Sequence, residues 1–211
     1  DNIRESLTDI PVLVTFGIKN AADYTAENIV ISEGRPSFDI RKGDEILAHI
    51  DLAVYGYHNI YNALAAAAVG DRLGISAADI ASSLATFEGL RRRFEYKCTV
   101  NGARVYIDYA HHPREIAATL RAAKSMAHGR LLCFFEPHTY SRTAALWDGF
   151  TRCFEEADAV YFLDIYAARE ENVYGVSSEK LAAATPNAGY IASYSQAAET
   201  IRRDARPGDT V

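Results

Sequence analysis

Leu131-Leu132-Cys133-Phe134-Phe135-Glu136-Pro137-His138-Thr139-Tyr140-Ser141-Arg142 runs from five apolar residues straight into a polar turn and a helix start. A short, wholly apolar run of this kind reads as a strand covered on both faces, the habit of a parallel sheet. Ala159 to Leu163 repeats it. Between the two, Ser141 is placed to cap a helix carrying Leu146, Phe150 and Phe154. Upstream, Pro113 suits the first position of a helix with Ile116, Leu120, Ala123 and Ala127, stopped by Gly129. Downstream, Ser177 or Ser178 caps a short helix, and Tyr190 to Ser193 is a strand. Ser195 then caps a last helix ending near Arg203, and Thr210-Val211 opens a strand the chain leaves unfinished. Helices alternating with apolar strands predict an α/β unit with a mostly parallel, doubly covered sheet.

The first half has another rhythm. Val12 to Phe16 reads as a strand ended by Gly17, and Asn28 to Ser32 as another. Ser37 to Arg41, the turn Lys42-Gly43-Asp44 and Ile46 to Leu52 make a hairpin. A helix from Asn59 to Leu73 carries Ile60, Leu64, Ala67 and Ala68 on one face, with Gly74 just past its end. Ser76, with Asp79 three residues on, opens a second helix striped by Ile80, Leu84 and Phe87. Beyond Arg93 the period becomes two: Tyr96 to Val100, Asn101-Gly102 and Arg104 to Asp108 form a hairpin with a type I′ turn signal. The domain boundary is therefore placed between residues 94 and 95.

The 211 residues, 49% hydrophobic and 24% charged, are enough to build a core. A net charge of −6 argues against nucleic-acid or anionic-membrane binding. No apolar run approaches the roughly 20 residues of a membrane span, and the opening DNIRESLTDI lacks the regions of a signal peptide. Three scattered cysteines form no disulfide framework and suit a reducing cytoplasm.

Ligands of open parallel sheets sit at the carboxyl ends of the strands. Three polar clusters fall there: Asp108 to Pro113, Glu136 to Arg142, and Asp164 to Arg169. In the first half, Asn59 and Asn62 share a helix face and can read an edge such as adenine's. Arg91-Arg92-Arg93 is the main charge concentration, either a solvated linker or an anion site. Asp108 could serve as a helix cap, and Asp108, His111 and His138 could assemble a metal site in space. Neither G-x-x-x-x-G-K-[ST] nor G-x-G-x-x-G occurs.

H-N-x-x-N-A-L-A-A (His58 to Ala66), G-L-R-R-R-F-E (Gly89 to Glu95), D-Y-A-H-H-P (Asp108 to Pro113) and P-H-T-Y-S-R-T (Pro137 to Thr143) follow in one order. Together they resemble the Mur ligases over nearly the whole chain. The resemblance implies a three-domain enzyme. Residues 1–94 would be the last part of its central ATPase domain, and residues 95–211 most of a Rossmann-like C-terminal domain whose last strand is truncated. The phosphate loop, the metal-binding glutamate and histidine, and the uridine site would lie upstream. The implied reaction is ATP-dependent amide formation joining L-alanine to UDP-N-acetylmuramate through an acyl phosphate, in cytoplasmic peptidoglycan precursor synthesis. ATP and Mg2+ are its implied cofactors, and the isolated chain is expected to be inactive. By motif, His58, Asn59 and Asn62 match adenine-side residues, and Arg93 an arginine near the ATP phosphates. Asp108 matches an aspartate that meets the nucleotide on domain closure. Tyr109, His111, His138 and Arg142 match positions lining the substrate and amino-acid pocket. Two departures stand out. Ile107 precedes Asp108 where many relatives carry another aspartate, and Thr139 stands where some carry arginine. The competing readings are a peptide-attaching recycling ligase of the same family, a metal-dependent hydrolase using Asp108, His111 and His138, and a nucleotide-binding module.

Overall fold

The computed structural model describes residues 12–211, in two units that divide between Glu88 and Gly89. In the first, β1 (Phe16–Gly17) pairs parallel with β2 (Tyr24–Ser32), and β3 (Arg35–Lys42) and β4 (Glu45–Asp51) follow antiparallel in the order β1-β2-β3-β4. Alternation along the strands points Tyr24, Phe38, Ile40 and Ile50 inward. They pack with Ile60, Leu64, Ala67 and Ala68 of α1 (His58–Arg72), the face its spacing predicted, and with Ile80 of α2 (Ala77–Thr86). Gly74, at φ 80, lets α1 end with paired bonds: its N–H reaches Asp71 O at 3.0 Å, and that of Ile75 reaches Gly70 O at 3.0 Å. Ser76 caps α2, accepting from Asp79 N at 3.1 Å.

Two strand assignments need correction. The expected strand over Val12 to Phe16 contracts to β1. The Thr15 N–H and hydroxyl both bond Asp23 Oδ2 at 2.7 Å, which staples that stretch as a loop. The strand expected from Asn28 begins at Tyr24, because Asn28 is a bulge at φ 52 where the pairing shifts register.

On the other face of β3 and β4, Ser37 Oγ lies 3.2 Å from His49 Nε2, and His49 Nδ1 lies 2.7 Å from Asp39 Oδ1. The bond to Asp39 raises the His49 pKa above its ordinary 6.5. A raised imidazolium pKa stabilises the fold below that ordinary value, and the gain disappears as pH climbs through the folded value. Thermal melts at pH 6 and pH 8.5 should therefore show a larger drop for the native chain than for His49→Ala. Equal drops would remove the ion pair from the account.

In the second unit, β5 (Glu95–Val100) and β6 (Ala103–Ile107) form the expected hairpin, with Asn101 at φ 51 and Gly102 at φ 79. β7 (Leu132–Phe135), β8 (Ala159–Phe162) and β9 (Ala188–Tyr190) run parallel. Thr210-Val211 is the extended chain expected of it, and it lies between β6 and β7. Val211 N bonds Arg104 O at 2.8 Å on one side, and Leu132 N bonds Thr210 O at 2.8 Å on the other. The helices are α3 (Pro113–Met126), α4 (Tyr140–Ala145), α5 (Trp147–Phe150), α6 (Ser178–Ala184) and α7 (Tyr194–Asp204). Ile116, Leu120, Phe135, Phe150, Phe154, Val160, Phe162 and Leu181 form the core.

The caps differ from expectation in this half. Thr139, not Ser141, caps α4, and the single helix expected there breaks at Leu146 into α4 and α5. The break lays Gly149 against Pro113, where a Cβ would stand 2.9 Å from Pro113 Cγ. Ser193, not Ser195, caps α7, accepting from Gln196 N at 3.2 Å. β9 lies earlier than the strand expected over Tyr190 to Ser193, starting at Ala188 and ending at Tyr190. Among the described residues no helix is long and apolar enough to cross a membrane.

Candidate active site

The polar clusters fall at the carboxyl ends of β6, β7 and β8. Asp108, just past β6, is not a helix cap. One carboxylate oxygen accepts from Phe94 N at 2.7 Å; the other accepts from Ala110 N at 2.7 Å and Thr119 Oγ1 at 3.3 Å. The cap of α3 is His112, whose Nδ1 accepts from Arg114 N at 3.2 Å. Asp108 thus binds back the arginine-rich segment, which turns through Arg92 at φ 58 and Phe94 at φ 50. The Phe94 ring stacks on Tyr106 at 4.6 Å. The Arg93 guanidinium then lies 5.8 Å over the Tyr109 ring, and Tyr109 meets His111 edge-on at 5.5 Å. An exposed guanidinium with an aromatic plate beneath it is pre-oriented to meet an anion.

Past β7, Thr139 holds a φ of 68, strained for a β-branched residue. A bridge between its loop and Tyr166 holds it there. Its N–H bonds Tyr166 O at 2.9 Å, and Tyr166 N bonds Pro137 O at 2.8 Å. This bridge sets the His138 ring 5.2 Å from the Tyr166 ring. His138, just before the cap of α4, and Arg142, in its first turn, meet at 3.4 Å between Nδ1 and Nη1. Arginine only donates, so in this contact Nδ1 is the acceptor. Parallel strands spaced about 4.8 Å apart put the ends of β6 and β7 about 10 Å apart, with one strand position between them.

Sequence reading missed the partners of these clusters. Glu170 accepts from Ser141 N at 2.8 Å and Ser141 Oγ at 2.5 Å, and these bonds hold its carboxyl below the ordinary 4.5. Tyr194 donates to Glu136 at 2.5 Å and Tyr190 to Asp164 at 2.7 Å. Bonding to those carboxylates is the leading cause that pushes both phenols up to about 12. The one sequence signal for Glu170 is its place in the loop after β8, one residue past the cluster singled out.

His58, Asn59 and Asn62 lie in the first unit, at the start of α1. Asn59 Nδ2 donates to Tyr55 O at 2.7 Å, and Asn62 Nδ2 to Asn59 Oδ1 at 2.8 Å. The amides are thus linked on one face, with Tyr57 rather than Asn59 at the cap position. Among the described residues no group of three or more His, Cys, Asp or Glu is placed to hold a metal ion. Asp108, His111 and His138 do not gather as the hydrolase reading requires.

Residues 92–211 match the Mur ligase, glutamate ligase domain, and residues 2–70 the Mur ligase middle domain. The chain belongs to the Mur ligase family. This Mur ligase chain is 40% identical over 216 residues to the UDP-N-acetylmuramate–L-alanine ligase of Caldicellulosiruptor bescii, covering 100% of this chain and 48% of that protein. The crystal structure of UDP-N-acetylmuramate-alanine ligase from Thermotoga maritima matches with a TM-score of 0.79 at 25% identity, over 100% of this chain and 45% of that one. A murein peptide ligase from Psychrobacter arcticus matches with a TM-score of 0.58 at 25% identity, over 92% and 41%. The chain spans about half the length of the relatives it matches.

Proposed function

We propose that this Mur ligase chain forms part of an enzyme that joins L-alanine to UDP-N-acetylmuramate at the expense of ATP. The first unit, to Glu88, is assigned to the end of the central domain and the second, from Gly89, to the C-terminal domain, six residues before the boundary expected at residues 94 and 95. The observation that carries the reading is the Arg142–His138 pair, 3.4 Å apart at the sheet rim. One guanidinium nitrogen is given to His138, and the rest of its donors suit the α-carboxylate of an amino acid.

The sugar's lactyl carboxylate attacks the γ-phosphorus of ATP, ADP leaves, and an acyl phosphate forms. The neutral amine of L-alanine then attacks the acyl carbon, loses a proton, and inorganic phosphate departs. Arg93 stabilises charge on the phosphates, as positioned arginines do in phosphoryl transfer. Asp108 has three of its roughly four acceptor sites bonded within the unit. Its contact with the nucleotide is therefore one remaining acceptor, together with the Arg93 segment it holds. Tyr109 and His111 line the substrate side, and His58, Asn59 and Asn62 read adenine. Magnesium, when bound, neutralises the phosphates; its ligands are expected outside the described residues. Dependence on ATP and a UDP-sugar places the reaction in the cytoplasm.

In the full-length enzyme, phosphate release from ATP should require both UDP-N-acetylmuramate and free L-alanine, and the 211-residue chain alone should give none. Preference for a tripeptide over L-alanine would transfer the assignment to the recycling ligase. The higher TM-score to the alanine ligase than to the peptide ligase, at equal identity, favours the first outcome.

A further inference from the structure

We propose that Glu170 is a positioning residue for the amino-acid substrate, fixing Arg142 and His138 through its two bonds to Ser141. The inference rests on the reading of Arg142 as the partner of the alanine carboxylate.

α4 is six residues long and starts from a residue at φ 68, and its first turn is closed by Thr143 N and Thr143 Oγ1 on Thr139 O at 3.1 and 2.8 Å. Its cap bond, from Arg142 N to Thr139 Oγ1, is long at 3.4 Å. The hold next to Arg142 comes from outside the helix. Glu170 takes both donors of Ser141, the residue immediately before Arg142. The loop that carries Glu170 is itself shaped for this: it bends at Ala168, φ 55, and closes through Glu170 N to Ala167 O at 2.9 Å. At its other end the loop is bridged by Tyr166 to Pro137 and Thr139. The loops after β7 and β8 are thus joined twice, at Tyr166 and at Glu170. His138 stands between the joined points, and Arg142 directly follows the second. A carboxylate accepting two hydrogen bonds on adjacent donors fixes direction as well as distance. The same two bonds hold the Glu170 carboxyl below its ordinary value.

The test is steady-state kinetics of the full-length enzyme with Glu170→Ala, Glu170→Gln, Ser141→Ala and Arg142→Ala. Glu170→Ala should raise the KM for L-alanine about tenfold, the scale of one charge-assisted bond. kcat and the KM for ATP should stay within about twofold, a split that general loosening would not produce. Ser141→Ala keeps the N–H bond and should move the alanine KM the same way but less. Glu170→Gln keeps one acceptor and should fall between. An alanine KM unchanged in Glu170→Ala while Arg142→Ala raises it would overturn the positioning role and leave the site reading standing. If Arg142→Ala also leaves it unchanged, the site reading itself fails. Parallel loss in kcat and both KM values would reduce Glu170 to a structural residue and overturn the proposal. Should Glu170→Ala not fold, Glu170→Gln and Ser141→Ala decide by the same split.

Discussion

Arg142→Ala in the full-length enzyme is expected to lower kcat/KM for L-alanine about a hundredfold or more, while the KM for ATP moves less than twofold. The size follows from what is lost. A guanidinium holding a carboxylate through parallel N–H bonds is among the stronger polar contacts, and removing one partner of such a pair costs about 2–5 kcal/mol. At about 1.4 kcal/mol per decade, the middle of that range is over a hundredfold. The effect should sit on alanine because Arg142 is paired with His138 past β7, about two strand positions from the Arg93 group. Arg142→Lys should recover only part of the loss, since an ammonium lacks the planar fork. Arg93→Ala should do the reverse, lowering kcat with little change in the alanine KM. An alanine KM unmoved by Arg142→Ala would detach this residue from the amino acid.

The parallel core was legible because burial on both faces leaves a trace that needs no neighbour to read. Leu131 to Phe135 and Ala159 to Leu163 are strands for that reason alone. The rim clusters were legible one step later, since residues that follow such strands must lie at one edge. What failed was decided by partners far along the chain. Ser141 has the composition of a cap, but its hydroxyl is claimed by Glu170, so Thr139 caps α4 from a backbone conformation that no propensity favours for threonine. Ser193 and Ser195 are equivalent by type. Only the bond from Ile191 N to Phe162 O shows where the ladder stops and the cap begins. The bulge at Asn28 hid half of β2, because an extra residue breaks the alternation by which strands are read. Thr210-Val211 was recognisable as extended chain, whereas its slot between β6 and β7 is a matter of topology. The carboxylate–tyrosine pairs at the strand ends are likewise contacts between loops distant in sequence.

That slot depends on one buried carboxylate, and Asp209→Ala is expected to destabilise the second unit by about 3 kcal/mol. Asp209 is 3% exposed. It accepts from Arg130 N at 2.9 Å, Arg130 Nη2 at 2.7 Å and Arg206 N at 3.0 Å. Its own carbonyl accepts from Arg104 N at 3.0 Å, which ties the last segment to β6. Only glycine admits this carboxylate beside residue 129, where a Cβ would lie 2.7 Å from Asp209 Oδ1. Truncation leaves two backbone N–H groups without their acceptor. The Arg130 side chain, 39% exposed, recovers part of its loss from water, so the upper end of the range for a broken buried pair is not reached. For a chain of this size the melting temperature should fall by about 6–12 °C. Burial pushes the Asp209 carboxyl up, but its bonds to Arg130 and Arg206 prevail and hold it below the ordinary 3.8. A depressed carboxyl stabilises the fold above its unfolded value, and the gain is lost as pH falls through the folded value. Between pH 6 and pH 3 the native chain should therefore lose more stability than Asp209→Ala, and the two melting curves should converge. Asp209→Asn, which keeps the shape and one acceptor but no charge, should lie between them at pH 6. A variant melting within a degree of the native chain at pH 6 would show that the last strand is held by its backbone ladder alone.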